Sequence, residues 1–227
     1  MCSSDLWSKG IDNASGHLEV QNGDSSRANI RDLRNAKGVS GYDQPFNDTL
    51  SGVYQLPFGK GRKFGSGWNG IIDGILGGWQ LTLINTITSG LPINITYSPT
   101  AQFQVTSIGL SQRPNVVGTL VTPEGSRTTT NYLDRNAVAI PTDPSKTFGN
   151  LGRNVARGYG LFQMDLGLHK EFSLTERAKL QFRSEAFNLT NQTNFQAPAS
   201  NISNSNYGTI TSTFPARQLQ FALRLAF

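Results

Sequence analysis

RQLQFALRLAF, Arg217 to Phe227, is the stretch whose reading decides the fold. Leu219, Phe221, Leu223, Leu225 and Phe227 take every second place, and Gln218, Gln220, Ala222, Arg224 and Ala226 fill the places between. Side chains of a strand point alternately to its two faces, so one face is wholly large and apolar and the other polar or small. The run has the length a tilted strand needs to cross a bilayer, about 9–11 residues. A sandwich strand would explain the alternation but not an apolar stripe that closes on an aromatic at the chain's last position. The expectation is a strand with one face in lipid.

The same period recurs upstream. In 179–189, KLQFRSEAFNL, Leu180, Phe182, Ser184 and Ala186 share one face and Lys179, Gln181, Arg183 and Glu185 the other. In 161–172, LFQMDLGLHKEF, the apolar row is Phe162, Met164, Leu166, Leu168 and Phe172, interrupted by Lys170. Gln163, Asp165, Gly167, His169 and Glu171 lie opposite. In 78–97, Trp79, Leu81, Leu83, Ile87, Leu91, Ile93, Ile95 and Tyr97 keep one parity through Gly90 and Pro92. That parity predicts one long strand protruding beyond the membrane, with a bulge or an edge at Pro92, which lacks a ladder donor. A weaker strand is predicted in 46–59, where Asp48 and Gly52 dilute the row of Leu50, Tyr54 and Leu56. DLWSKGI near the start reads as the end of a further strand.

Connections 11–45, 98–160 and 190–216 are long and polar, whereas 173–178 is short. With Phe227 on the periplasmic side, each long connection falls outside the cell, the asymmetry of outer-membrane barrels. Connection 57–77 is long for a periplasmic turn, and IIDGIL within it reads as a short amphipathic helix. Aromatics gather near strand ends, Trp79, Phe172 and Phe227 at one and Tyr97 and Phe162 at the other, as two interfacial belts would.

Composition agrees. The 227 residues carry 37% hydrophobic side chains and 24 glycines, as expected where half of each strand faces water or lumen. No run approaches the roughly 18 apolar residues of a membrane helix. The net charge of +5 has one dense cluster, Lys60, Arg62 and Lys63. It lacks an ordered aromatic platform for stacking bases, so a nucleic-acid partner is not expected. Cys2 is the one cysteine, which leaves no disulfide framework and no cysteine metal site. MCSSDLWSK lacks the apolar segment of an export signal. The reading is therefore a fragment of a longer protein, in which Met1–Asp5 need not be natural sequence.

Catalytic and metal chemistry is sparse. His17 and His169 have no converging ligands. GVSGY, 38–42, is no nucleophile elbow, and GKGRKFG lacks the strand-to-helix setting of a phosphate loop. Glu171, Glu176 and Glu185 are separate rather than an acid–base pair. Oxygen-rich DNASG and NGD in 11–24 lack EF-hand spacing and leave calcium undecided. Asn94-Ile95-Thr96 is a chance glycosylation triplet in an Asn- and Thr-rich chain. No enzyme activity, cofactor or metal is expected. Asp165, Glu171, Lys179, Arg183, Glu185 and Arg224 face inward. They read as a charge ladder lining a wet lumen, with a contact surface for a plug or substrate as the sharper alternative.

WSKGIDNASG, YQLPFGKGRKF, ILGGWQLTLINTITSGLPINI, SQRPNVVG, TFGNLGRNVARGYGLFQMDLGLHKEF, LQFRSEAFNLTNQTNF and YGTITSTFPARQLQFALRLAF follow one another in this chain. Together they resemble the C-terminal barrel of TonB-dependent outer-membrane transporters, nearest to the Oar-like proteins with a carboxypeptidase-regulatory-like domain. The resemblance covers nearly the whole chain, 1–227, as one unit. It implies an all-β, antiparallel up-and-down transmembrane barrel of about 22 strands with a plugged lumen. The chain supplies the last six or so, with long extracellular loops, while the plug and TonB box are absent. Asp48 and Gly52 depart from the family's pattern.

In that family the terminal stripe, here Leu219, Phe221, Leu223, Leu225 and Phe227, is read by the barrel-assembly machinery. The implied role is uptake across the outer membrane of a large or scarce extracellular ligand, with the TonB complex acting through the missing plug. Loop 98–160 would carry ligand contacts. The remaining readings are another outer-membrane barrel, such as an adhesin or secretion channel, and a soluble antiparallel β-domain binding carbohydrate or protein. In the soluble case the apolar faces would have to cover one another.

Overall fold

The computed structural model describes residues 2–13, 36–98, 112–143, 148–175 and 177–227. Its centre is one antiparallel sheet of six strands: β1 (Cys2–Trp7), β2 (Phe46–Gln55), β3 (Trp79–Thr88), β4 (Leu161–Ser173), β5 (Lys179–Phe187) and β6 (Gln218–Ala226). The strands lie side by side in chain order, and β1 and β6 form the two edges. This is the up-and-down meander that the period-two segments predict.

Register keeps like with like across the sheet. Leu180 pairs with Leu225, Phe182 with Leu223 and Ala186 with Leu219 between β5 and β6. Leu166 and Leu168 of β4 pair with Leu83 and Leu81 of β3. A slip of one residue would turn every one of these side chains to the opposite face, so the apolar row fixes the pairing. The row fades toward β1, where Asp5 stands opposite Asp48 and Ser3 opposite Leu50. The dilution at Asp48 and Gly52 is thus a property of the β1–β2 corner.

No second layer covers the apolar face of β6. Leu219, Phe221, Leu223 and Leu225 are 62, 68, 69 and 55% exposed. Burying one such side chain is worth about 1.5–3 kcal/mol, so leaving these four in water forgoes of the order of 10 kcal/mol, comparable to a domain's whole stability. Among the described residues no helix is long and apolar enough to cross a membrane.

The packed core lies elsewhere. Ile93, Ile95, Tyr97, Tyr132, Leu133, Val138, Leu151, Ala156, Ile202, Tyr207 and Ile210 form one buried cluster, and none belongs to the six strands. These residues come from the long connections, all of which leave the same end of the sheet. Short ladders tie that cap together: Ile11–Asp12 with Gly38–Val39, Pro92–Ile93 with Ala156–Arg157, and Asn115–Val116 with Val138–Ala139. The opposite end carries residues 56–78 and the tight connection after Ser173.

Two expectations are corrected here. The run 78–97 is not one strand. β3 stops at Thr88, and the chain then enters the cap, where Pro92–Ile93 pairs with Ala156–Arg157. A Cβ on Gly90 would collide with the backbone of Gly158 and Tyr159, so the glycine permits this crossing. Parity persisted because Ile93, Ile95 and Tyr97 alternate into a protein core. For the same reason Tyr97, only 4% exposed, is no interfacial girdle residue. At the capped end the ring pair in the sheet is Trp7 with Phe46, centroids 5.1 Å apart.

Candidate functional site

The polar face of the sheet and the cap above it form the candidate surface. On that face β3, β4 and β5 enclose an open depression lined by Gln80, Thr82, His169, Glu171, Gln181 and Arg183 among others. His169 Nε2 and Thr82 Oγ1 lie 3.2 Å apart, a bond whose donor depends on the tautomer. Gln181 donates to Glu171 at 3.2 Å, and Lys179 pairs with Glu171 at 2.8 Å. Both ions of that pair are about half exposed, and such pairs contribute about 0–1 kcal/mol. The pair is exposed to water and is no strong clamp.

The predicted site residues separate into groups. Glu171, Lys179 and Arg183 come together around the depression. Glu185 sits opposite Gln220 and Gly167, and Arg224 opposite Gln181. Asp165 leaves the expected ladder. Its carboxylate accepts from Gln163 Nε2 at 3.0 Å and from the Asn188 backbone at 2.9 Å. Asn188 has φ 50°, so Asp165 fixes the left-handed turn that leaves β5. Leu219, Phe221, Leu223, Leu225 and Phe227 stand on the opposite, apolar side, all exposed. Asp12 is held by Arg153. His17 and Glu176, with the rest of the oxygen-rich 14–24 stretch, lie outside the described residues. Among the described residues no three His, Cys, Asp or Glu side chains gather to hold a metal ion.

Sequence reading missed the arginines that build the cap. Arg153, 3% exposed, reaches the Asp12 carboxylate and the Asp12 carbonyl from the 149–160 stretch. Asn154 donates to the Val39 carbonyl at 2.7 Å. Arg157 donates to the Asp43 carboxylate at 2.5 Å, the Asp43 carbonyl at 2.7 Å and the Gly90 carbonyl at 2.8 Å. Asp43 in turn accepts from the Gly10 backbone at 2.6 Å. One short segment thereby fastens the connection between β1 and β2 to the one between β3 and β4. The signal was present in GRNVARGYG, two arginines four apart among turn residues, but the carbonyls they meet lie more than 60 positions away in sequence.

Aromatic rings fill the cap between these clamps. Tyr132 and Tyr159 centroids are 4.8 Å apart, and Tyr159 and Phe195 are 5.3 Å apart. Tyr132 donates its hydroxyl to the Arg157 carbonyl at 2.7 Å, and the Arg127 guanidinium lies over its ring. Burial pushes the Tyr132 phenol above its ordinary range, and Arg127 opposes this. Burial pushes Tyr207 further, up to about 12. The cap joins the sheet through Asn194, whose amide oxygen accepts from the Phe162 backbone at 3.0 Å and whose amide nitrogen donates to the Phe162 carbonyl at 2.8 Å. The arrangement offers a rigid, polar, aromatic-cored body at the mouth of a polar-lined wall.

A family model described as Outer membrane beta barrel domain matches residues 6–220. No curated protein matches, and no solved structure matches.

Proposed function

The chain belongs to the outer membrane beta barrel domain family and lies in the outer membrane; from that premise we propose that it forms part of the wall of a TonB-dependent transporter, of the Oar-like kind, that takes up a large or scarce ligand. One observation carries the reading: the long connections fold into a single packed cap at one end of a sheet whose apolar face is bare. A plain pore needs no such body, whereas a receptor needs a rigid surface that meets its ligand before entry. The cap faces outward, and residues 112–159 supply most of its clamps.

The free ladders of β1 and β6 support a larger closed wall, because open edges do not persist in hydrocarbon. About 22 strands is the size at which a lumen holds a plug. In this reading Glu171, Lys179, Arg183, Glu185 and Arg224 line the wet lumen beside the plug. Leu219, Phe221, Leu223, Leu225 and Phe227 serve as the signal read by the barrel-assembly machinery. The TonB complex acts through the plug, outside this chain, and no bond-making chemistry is assigned to it.

The test is genetic. In a host depleted of the protein that carries this chain, growth on scarce chelates, oligosaccharides and peptides identifies the ligand class. Deleting TonB should abolish that growth as fully as deleting the barrel. Growth that survives without TonB would instead mark a passive channel or an adhesin.

A further inference from the structure

Residues 56–78, at the uncapped end, contain a helix that is inside out for a soluble protein. Helix α1 (Gly70–Leu76) is capped by Asn69, whose side chain accepts from the Ile72 backbone at 2.9 Å. Its seven residues are too few for a stable helix alone in water. With 100° per residue, Ile71, Ile72, Ile75 and Leu76 form one stripe, with Gly70, Asp73 and Gly74 behind it. The stripe faces away from the protein: these four side chains are 76, 41, 61 and 52% exposed. The polar side faces inward, where the Asp73 carboxylate accepts from the Lys60 backbone at 2.6 Å.

The helix is held on the apolar side of the sheet. Trp79 and Lys170 are register partners in the apolar row. Trp79 Nε1 donates to the Ile75 carbonyl at 2.9 Å. Lys170 donates to the Gly77 carbonyl and lies 3.4 Å from the Asp73 carbonyl. Its ammonium also sits over the Trp79 and Phe172 rings, at 5.3 and 5.0 Å. The one charge in the apolar row of β4 is therefore spent on the last carbonyls of α1, where a cation is favoured. A helix docked on that face, with its isoleucines outward, continues the surface that hydrocarbon wets. Beside it, exposed Lys60, Arg62 and Lys63 sit on a turn closed by Phe58 and Phe64, whose rings are 5.7 Å apart.

We infer that residues 57–78 form an interfacial foot: the α1 stripe enters the acyl boundary of the phospholipid leaflet at the uncapped end, and Lys60, Arg62 and Lys63 contact its anionic headgroups. Continuity with the lipid-facing sheet and complementary charge commit the site to lipid, in the manner of interfacial amphipathic helices. The inference rests on the outer-membrane location and not on transport.

The test uses the full-length protein that carries this chain, in vesicles of phosphatidylethanolamine and phosphatidylglycerol. In a Cys2→Ser background, Ile75→Cys carries an environment-sensitive fluorophore. Lipids spin-labelled just below the headgroup should quench at least half of its emission. Spin-labelled phosphatidylglycerol should quench more than spin-labelled phosphatidylcholine, and the triple variant Lys60→Gln, Arg62→Gln, Lys63→Gln should erase that preference while leaving the quenching itself. Water-like emission untouched by lipid quenchers would overturn the foot, as would quenching that vanishes on dilution because a second copy covers the stripe. Equal quenching by both lipids before the charges are removed would overturn the headgroup contact. A label at Leu223→Cys, on the sheet itself, should be quenched in either case, so failure at α1 alone leaves the barrel intact.

Discussion

In the sheet, large apolar side chains stand bare, with Leu223 at 69% exposure and Phe221 at 68%; in the cap, Tyr132 is 1% exposed and Ile95 fully buried. The two regions share a chain and, along Trp79 to Tyr97, even a single alternating pattern. They differ in what surrounds the apolar atoms. The sheet draws its apolar environment from the membrane and needs only hydrogen-bonded neighbours. The cap stands in water, so it has to gather its own core from two connections and fasten the third to it with Arg153 and Arg157. Alternation reports that one face of a strand is apolar. It does not report whether lipid or protein lies against that face.

The largest effect expected from breaking this contrast is in the cap. Tyr132→Ala removes a buried ring and its bond to the Arg157 carbonyl, and should cost about 3–5 kcal/mol. Hydrogen exchange should show the loss in residues 112–159 while the β3–β4–β5 ladders stay protected. Equal deprotection of both regions would mean that they fold as one unit.

Next comes the face of β6. Leu223→Arg should destabilise the barrel in vesicles by about 2–4 kcal/mol, as a cation near the bilayer midplane does. Gln220→Arg, on the polar face opposite Glu185, should change it by no more than about 0.5 kcal/mol. Urea titration of both variants in lipid checks the pair, and similar costs would erase the difference between the faces.

The cap should lose stability in alkali. Burial raises Tyr207 from its ordinary 10.0 to about 12. Below pH 10 the phenol is neutral folded or unfolded and its stabilisation is complete. Between about 10 and about 12 only the unfolded cap ionises, so stability falls there by about 2–3 kcal/mol. Near-ultraviolet dichroism should record the cap's loss over that window, and Tyr207→Phe should flatten it.

The smallest effect belongs to the polar face of the sheet. Lys179→Ala breaks the pair with Glu171, both partners exposed to water, and should cost under about 1 kcal/mol, less still in high salt. A larger cost by thermal unfolding would make the pair a structural clamp.

The contrast also explains what could be read in advance. β4, β5 and β6 were legible because period two and cross-strand register act locally, and Phe182, Leu223 and Leu180 announce their face by parity alone. α1 was legible from IIDGIL, but its placement was not. Lys170 looked like a flaw in an apolar row until Gly77 and Asp73 supplied carbonyls for it. The cap was the least legible. Ile95, Tyr132, Leu151 and Tyr207 share no period, and their contacts span connections far apart in sequence. Asp165 meets Gln163 and the Asn188 backbone instead of a cross-strand cation, because the turn at Asn188 brings a donor close to it.

The central claim is that hydrocarbon wets one side of β6. Single cysteines at each position from Gln218 to Ala226, in a Cys2→Ser background and in vesicles, test it by their reaction with a membrane-impermeant maleimide. The account predicts a strict alternation, with positions 219, 221, 223 and 225 protected and 218, 220, 222, 224 and 226 reactive. Uniform reactivity along the strand, or protection that persists at 219–225 when the lipid is replaced by a detergent-free aqueous buffer with the protein still folded, would contradict it.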